Sequence, residues 1–275
     1  MKTLKKISVV VLMMICILTF TIKTNAAEEF KLNSCATTTC HGEYINGFCS
    51  ECDSYEPAKL IDNIYLISNA GQLYWFFNQI YLGNTSINGK LTKNIIINEG
   101  NVIGCNGVKD SKWRSWNLDK KHEYQGTFDG NGFYVSGVYQ TSSSINDRIG
   151  FFGSTTNAKI TNLGIINSYF SGFRFAFLGG MVGFAKYSTF ENCYIQATIV
   201  GKQEIDGYAG GFVGLSGDSN YYNCYANVTV EASDSDDNLS VGGFIGSSYY
   251  NDGYLKNVAA SATIKVAART VKVGS

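Results

Sequence analysis

A four-residue pattern with glycine at both ends recurs four times in the second half of the chain: Gly150-Phe151-Phe152-Gly153, Gly180-Met181-Val182-Gly183, Gly211-Phe212-Val213-Gly214 and Gly243-Phe244-Ile245-Gly246. The intervals are 30, 31 and 32 residues. An asparagine landmark follows each copy, at Asn162, Asn192, Asn223 and Asn257. A fixed period of this length requires a repeat architecture, in which each unit buries its apolar face only against its neighbours. The residues after each asparagine alternate. Cys193, Ile195, Ala197 and Ile199 fall on one side, with Tyr194, Gln196 and Thr198 on the other, and the same alternation returns as Cys224, Ala226, Val228 and Val230 against Tyr225, Asn227 and Thr229. Period two is the signature of a half-buried strand and excludes helical repeats. The chain is therefore expected to be all-β, a parallel right-handed β-helix or solenoid. Leu163, Cys193, Cys224 and Val258 form one interior column, with coils spaced about 4.8 Å apart. The first copy fits less well, because Asn167 and Tyr169 fall in the apolar column. The asparagines are expected to form a further column at the coil corners, bonded to backbone.

The organisation along the chain follows from local signals. Residues 1–26 read as an export signal, with Lys2, Lys5 and Lys6 before an apolar stretch and cleavage after Ala26. This implies a secreted or surface-associated protein with no membrane segment after cleavage. Residues 27–58 form a cysteine-rich element in which Cys35, Cys40, Cys49 and Cys52 follow the spacing C-x4-C-x8-C-x2-C, with His41 beside the second. Four thiolates so spaced suit tetrahedral Zn²⁺, and two disulfides are the competing reading in an oxidising compartment. Cys193 and Cys224 read as packing residues, and Cys105 falls in a glycine-rich loop. Residues 59–148 hold a cap and the first coils. Asn69 and Gln72 stand at capping-box spacing, Leu73, Phe76, Phe77 and Ile80 follow at helical intervals, and Gly83 closes the helix. An open solenoid end needs such a cover. Residues 149–275 are the repeats.

Function is less constrained. Acidic and basic residues number 22 each, which leaves no basic stripe for nucleic acid. Asp129, within Phe128-Asp129-Gly130-Asn131-Gly132, reads as a turn residue rather than a catalytic carboxylate, and Asp234, Asp236 and Asp237 as a solvated loop, with Ca²⁺ binding as the alternative. Candidate binding residues are the outward Tyr194 and Tyr225, the tyrosines Tyr221, Tyr222, Tyr249 and Tyr250 placed on loops, and Arg174. These suit an extracellular glycan or a protein partner. An uncovered last coil would allow end-to-end self-association.

The stretches Ile67-Ser68-Asn69-Ala70-Gly71-Gln72-Leu73-Tyr74-Trp75-Phe76 and Tyr124-Gln125-Gly126-Thr127-Phe128-Asp129-Gly130-Asn131-Gly132, followed by the glycine repeats, resemble the GLUG-motif β-helix regions of bacterial secreted and cell-surface proteins. Such regions include those attached to immunoglobulin A1 metalloproteases and adhesins. The resemblance implies a non-catalytic adhesin-like module. The protease relatives carry catalysis on a separate domain with H-E-x-x-H, a motif this chain lacks. The alternative is a carbohydrate-active β-helix enzyme, a polysaccharide lyase or hydrolase.

Overall fold

The computed structural model describes residues 42–52, 54–99, 116, 122–142, 147–173, 177–203, 207–234, 239–249, 252–267 and 271–274. The segment read as an export signal, Cys35, Cys40, His41, Cys105, Arg174, Asp236, Asp237 and Tyr250 lie outside these residues. No helix among the described residues is long and apolar enough to cross a membrane.

Among the described residues, four coils of parallel strands stack one on the next, each running through four sheets in turn. The second coil, for example, consists of Phe177–Gly179, Val182–Lys186, Thr189–Glu191 and Tyr194–Gln203. Equivalent strands pair in register from coil to coil, as Val182 with Val213 and Tyr194 with Tyr225. The strands beginning at Gly164, Tyr194, Tyr225 and Ala259 are the longest and form the broadest face, called here the long-strand sheet. The expected β-solenoid is therefore present, with one α-helix among the described residues.

The predicted interior column is buried in its first three members, while Val258, in the last described coil, is only half-buried. Leu163, Cys193 and Cys224 are 1% exposed or less, and Ile165, Ile195 and Ala226 are fully buried. Burial pushes the Cys193 thiol well above its ordinary value, so it stays protonated and donates to the carbonyls of Glu191 and Ile160. The misfit of the first copy has a local cause. Pairing with the next coil shifts register between Ile165 and Ser168, with Asn167 at φ 50°. This bulge absorbs one residue and returns Ser168 and Phe170 to the bore, opposite Ala197 and Ile199.

The corner asparagines differ from expectation in their bonding. Each holds a left-handed φ of 52° to 55°, a region asparagine tolerates better than most residues. Their side-chain amides bond one another rather than backbone. Asn257 Nδ2 donates to Asn223 Oδ1, Asn223 to Asn192, Asn192 to Asn162, and Asn162 to the carboxylate of Asp129. Asp129, which also accepts from the Asn131 backbone and faces Lys90 Nζ at 3.3 Å, ends this polarised chain. Partial burial pushes its carboxyl up, but the Asn162, Asn131 and Lys90 interactions together outweigh it and leave the pKa lowered. A depressed folded pKa contributes stability above the ordinary carboxylate range, and that contribution is lost as pH falls through the folded value. Asp129→Asn keeps an oxygen for Asn162. It should be less stable than the parent near pH 6 and lose that deficit below about pH 4. Urea midpoints at both pH values measure this, and a deficit that does not change with pH would refute an ionised chain end.

Helix α1, Ala70–Tyr81, crosses the N-terminal end of the bore. Asn69 is its N-cap, accepting from Gln72 N at 2.8 Å, and Gly83 closes it at φ 99°. Gln72 Oε1 reaches back to Ser68 N and Oγ, one residue before the position a capping box would use. Leu73, Phe76, Phe77 and Ile80 are all buried, as their spacing predicts. Phe76 packs on Phe128 and Tyr124, and Phe77 on Phe151 and Phe152. The first full coil thus receives the apolar cover its exposed cross-section requires.

Candidate functional site

Two regions carry chemistry beyond packing. The first begins with a hairpin, Tyr44–Ile45 and Phe48–Cys49, whose turn Asn46-Gly47 has positive φ at both positions (49° and 80°). Asparagine-glycine is the preferred pair for such a turn, because both residues must enter the left-handed region. The hairpin delivers Cys49 into a buried position, where its Sγ accepts hydrogen bonds from Glu51 N at 3.4 Å and Cys52 N at 3.3 Å. Two backbone donors thus converge on one sulfur. Cys52 Sγ lies 3.0 Å from Ser54 Oγ. A β-carbon at Gly42 would come within 2.8 Å of Cys49 Sγ, so the chain two residues after Cys40 passes against this sulfur. Cys35 and Cys40 themselves lie outside the described residues. Among those described, no group of three or more metal-ligating side chains is gathered.

This element is joined to the cap. Asn46 O accepts from Gly71 N at 2.9 Å, Asn46 Oδ1 accepts from Ala70 N, and the Glu56 carboxylate accepts from Asn69 Nδ2 and Gln72 Nε2. Two of the first backbone N–H groups of α1, which have no partner within a helix, are thereby satisfied by the hairpin turn.

The second region is the outer face of the long-strand sheet. Its columns read Tyr134, Gly164, Tyr194, Tyr225, Ala259; then Gln196, Asn227, Ser261; then Thr198, Thr229, Thr263. Tyr194 and Tyr225 are 40% and 42% exposed, and Gln196 and Asn227 are exposed beside them. At the far end of the same strands Lys265 Nζ meets Glu231 Oε1 at 2.7 Å. Gly164 interrupts the tyrosine column for a steric reason. A β-carbon there would stand 2.2 Å from Tyr194 Cζ, 2.4 Å from its hydroxyl and 2.5 Å from Cε1. With Cζ the nearest atom and its two bonded neighbours only slightly farther, the ring turns its face to the glycine. Its opposite face is left to solvent. Partial burial and the nearby Tyr134 raise the Tyr194 phenol, which keeps it neutral.

Other tyrosines are corrected. Tyr221 and Tyr222 belong to the strand Asn220–Tyr222 and Tyr249 to the strand Ile245–Tyr249, not to loops. Tyr221 is fully buried in the bore, stacked on Phe190 at 5.3 Å with its hydroxyl 2.8 Å from Ser216 Oγ. The signal for it was available: Ile160, Phe190, Tyr221 and Leu255 all stand two residues before an asparagine landmark and form one apolar column.

The four-sheet stack with a helix across its end defines a β-solenoid protein. No protein-family model and no curated protein matches the sequence. Two solved structures match the chain. One is a Bacteroides ovatus protein described as a candidate immunoglobulin A1 protease, 17% identical, with a TM-score of 0.37 over 75% of this chain and 84% of that one. The other is described as an IgA1 protease, 14% identical, with a TM-score of 0.41 over 80% of this chain and 22% of that one.

Proposed function

We propose that the chain is an exported, non-catalytic β-solenoid of the GLUG type that binds an extracellular glycan or protein at the outer face of its long-strand sheet. The observation that carries this reading is the outward array of tyrosine, amide and hydroxyl side chains, in register from coil to coil. Further support comes from the carboxylates, several of which have structural partners. Asp129 ends the amide chain, Glu56 holds the start of α1, and Glu123 bonds Arg148 at 2.7 Å and also Thr156. A glycan array coupled to a polysaccharide-cleavage assay tests the reading. Binding without product release is expected, and release of oligosaccharide would replace it with a lyase or hydrolase.

In the same reading the cysteine element is a structural zinc site, in which Cys49 and Cys52 supply two thiolates and Cys35 and Cys40 complete the tetrahedron. The hairpin that places Cys49 beside Cys52, with the Glu51 and Cys52 N–H groups directed at its sulfur, favours it. Metal analysis of the purified chain should find one zinc per molecule, lost in Cys52→Ser together with several degrees of thermal stability. Absence of metal, with Cys35, Cys40, Cys49 and Cys52 unreactive toward a thiol reagent in the denatured, unreduced chain, would instead establish two disulfides.

A further inference from the structure

Within the binding role proposed above, on which this inference rests, we propose that the face centred on Tyr194 and Tyr225 takes an uncharged polysaccharide chain. Three features of the face select that ligand. The first is the orientation of Tyr194, whose ring is backed by Gly164 and presents its free face outward. A sugar ring has an apolar C–H face that packs on such a surface, whereas an interior aromatic ladder offers only ring edges. Phe190 and Tyr221, stacked at 5.3 Å and 7° inside the bore, are of that second kind.

The second feature is the position of the polar groups. Gln196 and Asn227 stand two residues along from Tyr194 and Tyr225 on the same face, with Thr198 and Thr229 beyond them. Amides and hydroxyls beside a ring platform match the hydroxyl rim of a sugar. The rows repeat at about 4.8 Å from coil to coil, so a chain crossing several coils meets the same chemistry again. Protein hot spots, by contrast, are aromatic or arginine side chains sunk in desolvated pockets, whereas Tyr194 and Tyr225 stand 40% and 42% exposed on a strand face.

The third feature is charge. The tyrosine, amide and threonine columns carry none, and Glu231 and Lys265 compensate each other at their end. An anionic glycan would find no cation in these columns to offset its desolvation.

Affinity electrophoresis in gels containing hydroxyethylcellulose, xyloglucan or galactomannan, with polygalacturonate as the anionic probe, tests the proposal. At least one neutral polymer should retard the mature protein. Tyr194→Ala should weaken that retardation about tenfold, the loss expected for an exposed aromatic anchor. Gly164→Ala keeps every ring but places a methyl where the Tyr194 ring lies. The end of a side chain can move aside, so the fold should survive, as circular dichroism would verify, while binding falls as in Tyr194→Ala. Tyr254→Ala, altering a tyrosine 67% exposed outside these columns, should bind like the parent. Retardation by polygalacturonate alone, or by none of the four polymers, overturns the proposal. Neutral-polymer binding that survives both variants also overturns it but leaves a binding module in place. Cleavage of the polymers would overturn the broader reading as well.

Discussion

Replacing Phe77 by alanine should cost about 3–5 kcal/mol, the range for deleting a fully buried phenylalanine. Phe77 is 1% exposed and joins the cap to the solenoid. Its ring stacks on Trp116 at 4.6 Å and meets Phe151 and Phe152 at 5.2 and 5.5 Å. Phe151 and Phe152 form the corner of the first full coil, so the ring fills the space where that coil would otherwise receive another coil's side chains. In a stack whose units contact only their neighbours, the damage should be graded along the axis. Urea denaturation gives the total loss, and hydrogen exchange gives its distribution. The amides of Phe151 and Phe152, bonded to the next coil, should lose most of their protection. Those of Phe212 and Val213 should lose less, because their bonds lie two coils from the helix. A loss below about 1 kcal/mol, or equal loss at both places, would show that the helix is not an energetic plug.

What the sequence made legible follows from the periodicity of strands. From Cys193 to Ile199 period two assigns inside and outside correctly residue by residue, whereas in the last described coil, where the same alternation holds, Ala260 and Ala262 are exposed. Wherever one residue is inserted, as at Asn167, the alternation inverts and the sequence signal misleads, although the fold continues through a bulge. The helix was legible because its cap and four apolar positions lie within twelve residues. Contacts between distant coils were not. Asp129 reads as a turn residue when seen with Gly130 and Asn131, and only stacking shows it as the acceptor at the end of an amide chain whose donor is 33 residues away. The candidate binding face was half legible. Tyr194 and Tyr225 point outward by parity, but Gly164 acquires meaning only when the ring from the next coil lies over it. Asn46-Gly47 is a hairpin signal on its own, yet its docking on α1 depends on the Gly71 amide 25 residues along.

The glycines of the repeat have a second consequence for stability. Gly210→Ala should destabilise the protein by about 3 kcal/mol or more, at the upper end of what an added methyl does in a packed interior. Gly210 precedes the third copy of the pattern. Its backbone has no need of a positive φ, so conformational freedom does not explain it. Space does: a β-carbon there would lie 1.9 Å from Val213 O and 2.5 Å from Gly246 N, both backbone atoms with no rotamer to yield. The same constraint recurs at Gly179, where the nearest atom is Val182 O at 2.2 Å, and at Gly242, where it is Ile245 O at 1.8 Å. Each marks the corner where one strand leaves its sheet and the next begins close against it, so the methyl must open the corner or push adjacent coils apart. Gly132 supplies the control. It has φ 82° with nothing within 4 Å of a β-carbon, so Gly132→Ala should carry only the left-handed penalty of about 1 kcal/mol. Chemical denaturation of the two variants side by side separates the causes. If Gly132→Ala proved the more damaging, the repeat glycines would be serving backbone conformation, and close approach would not be what fixes them at every corner.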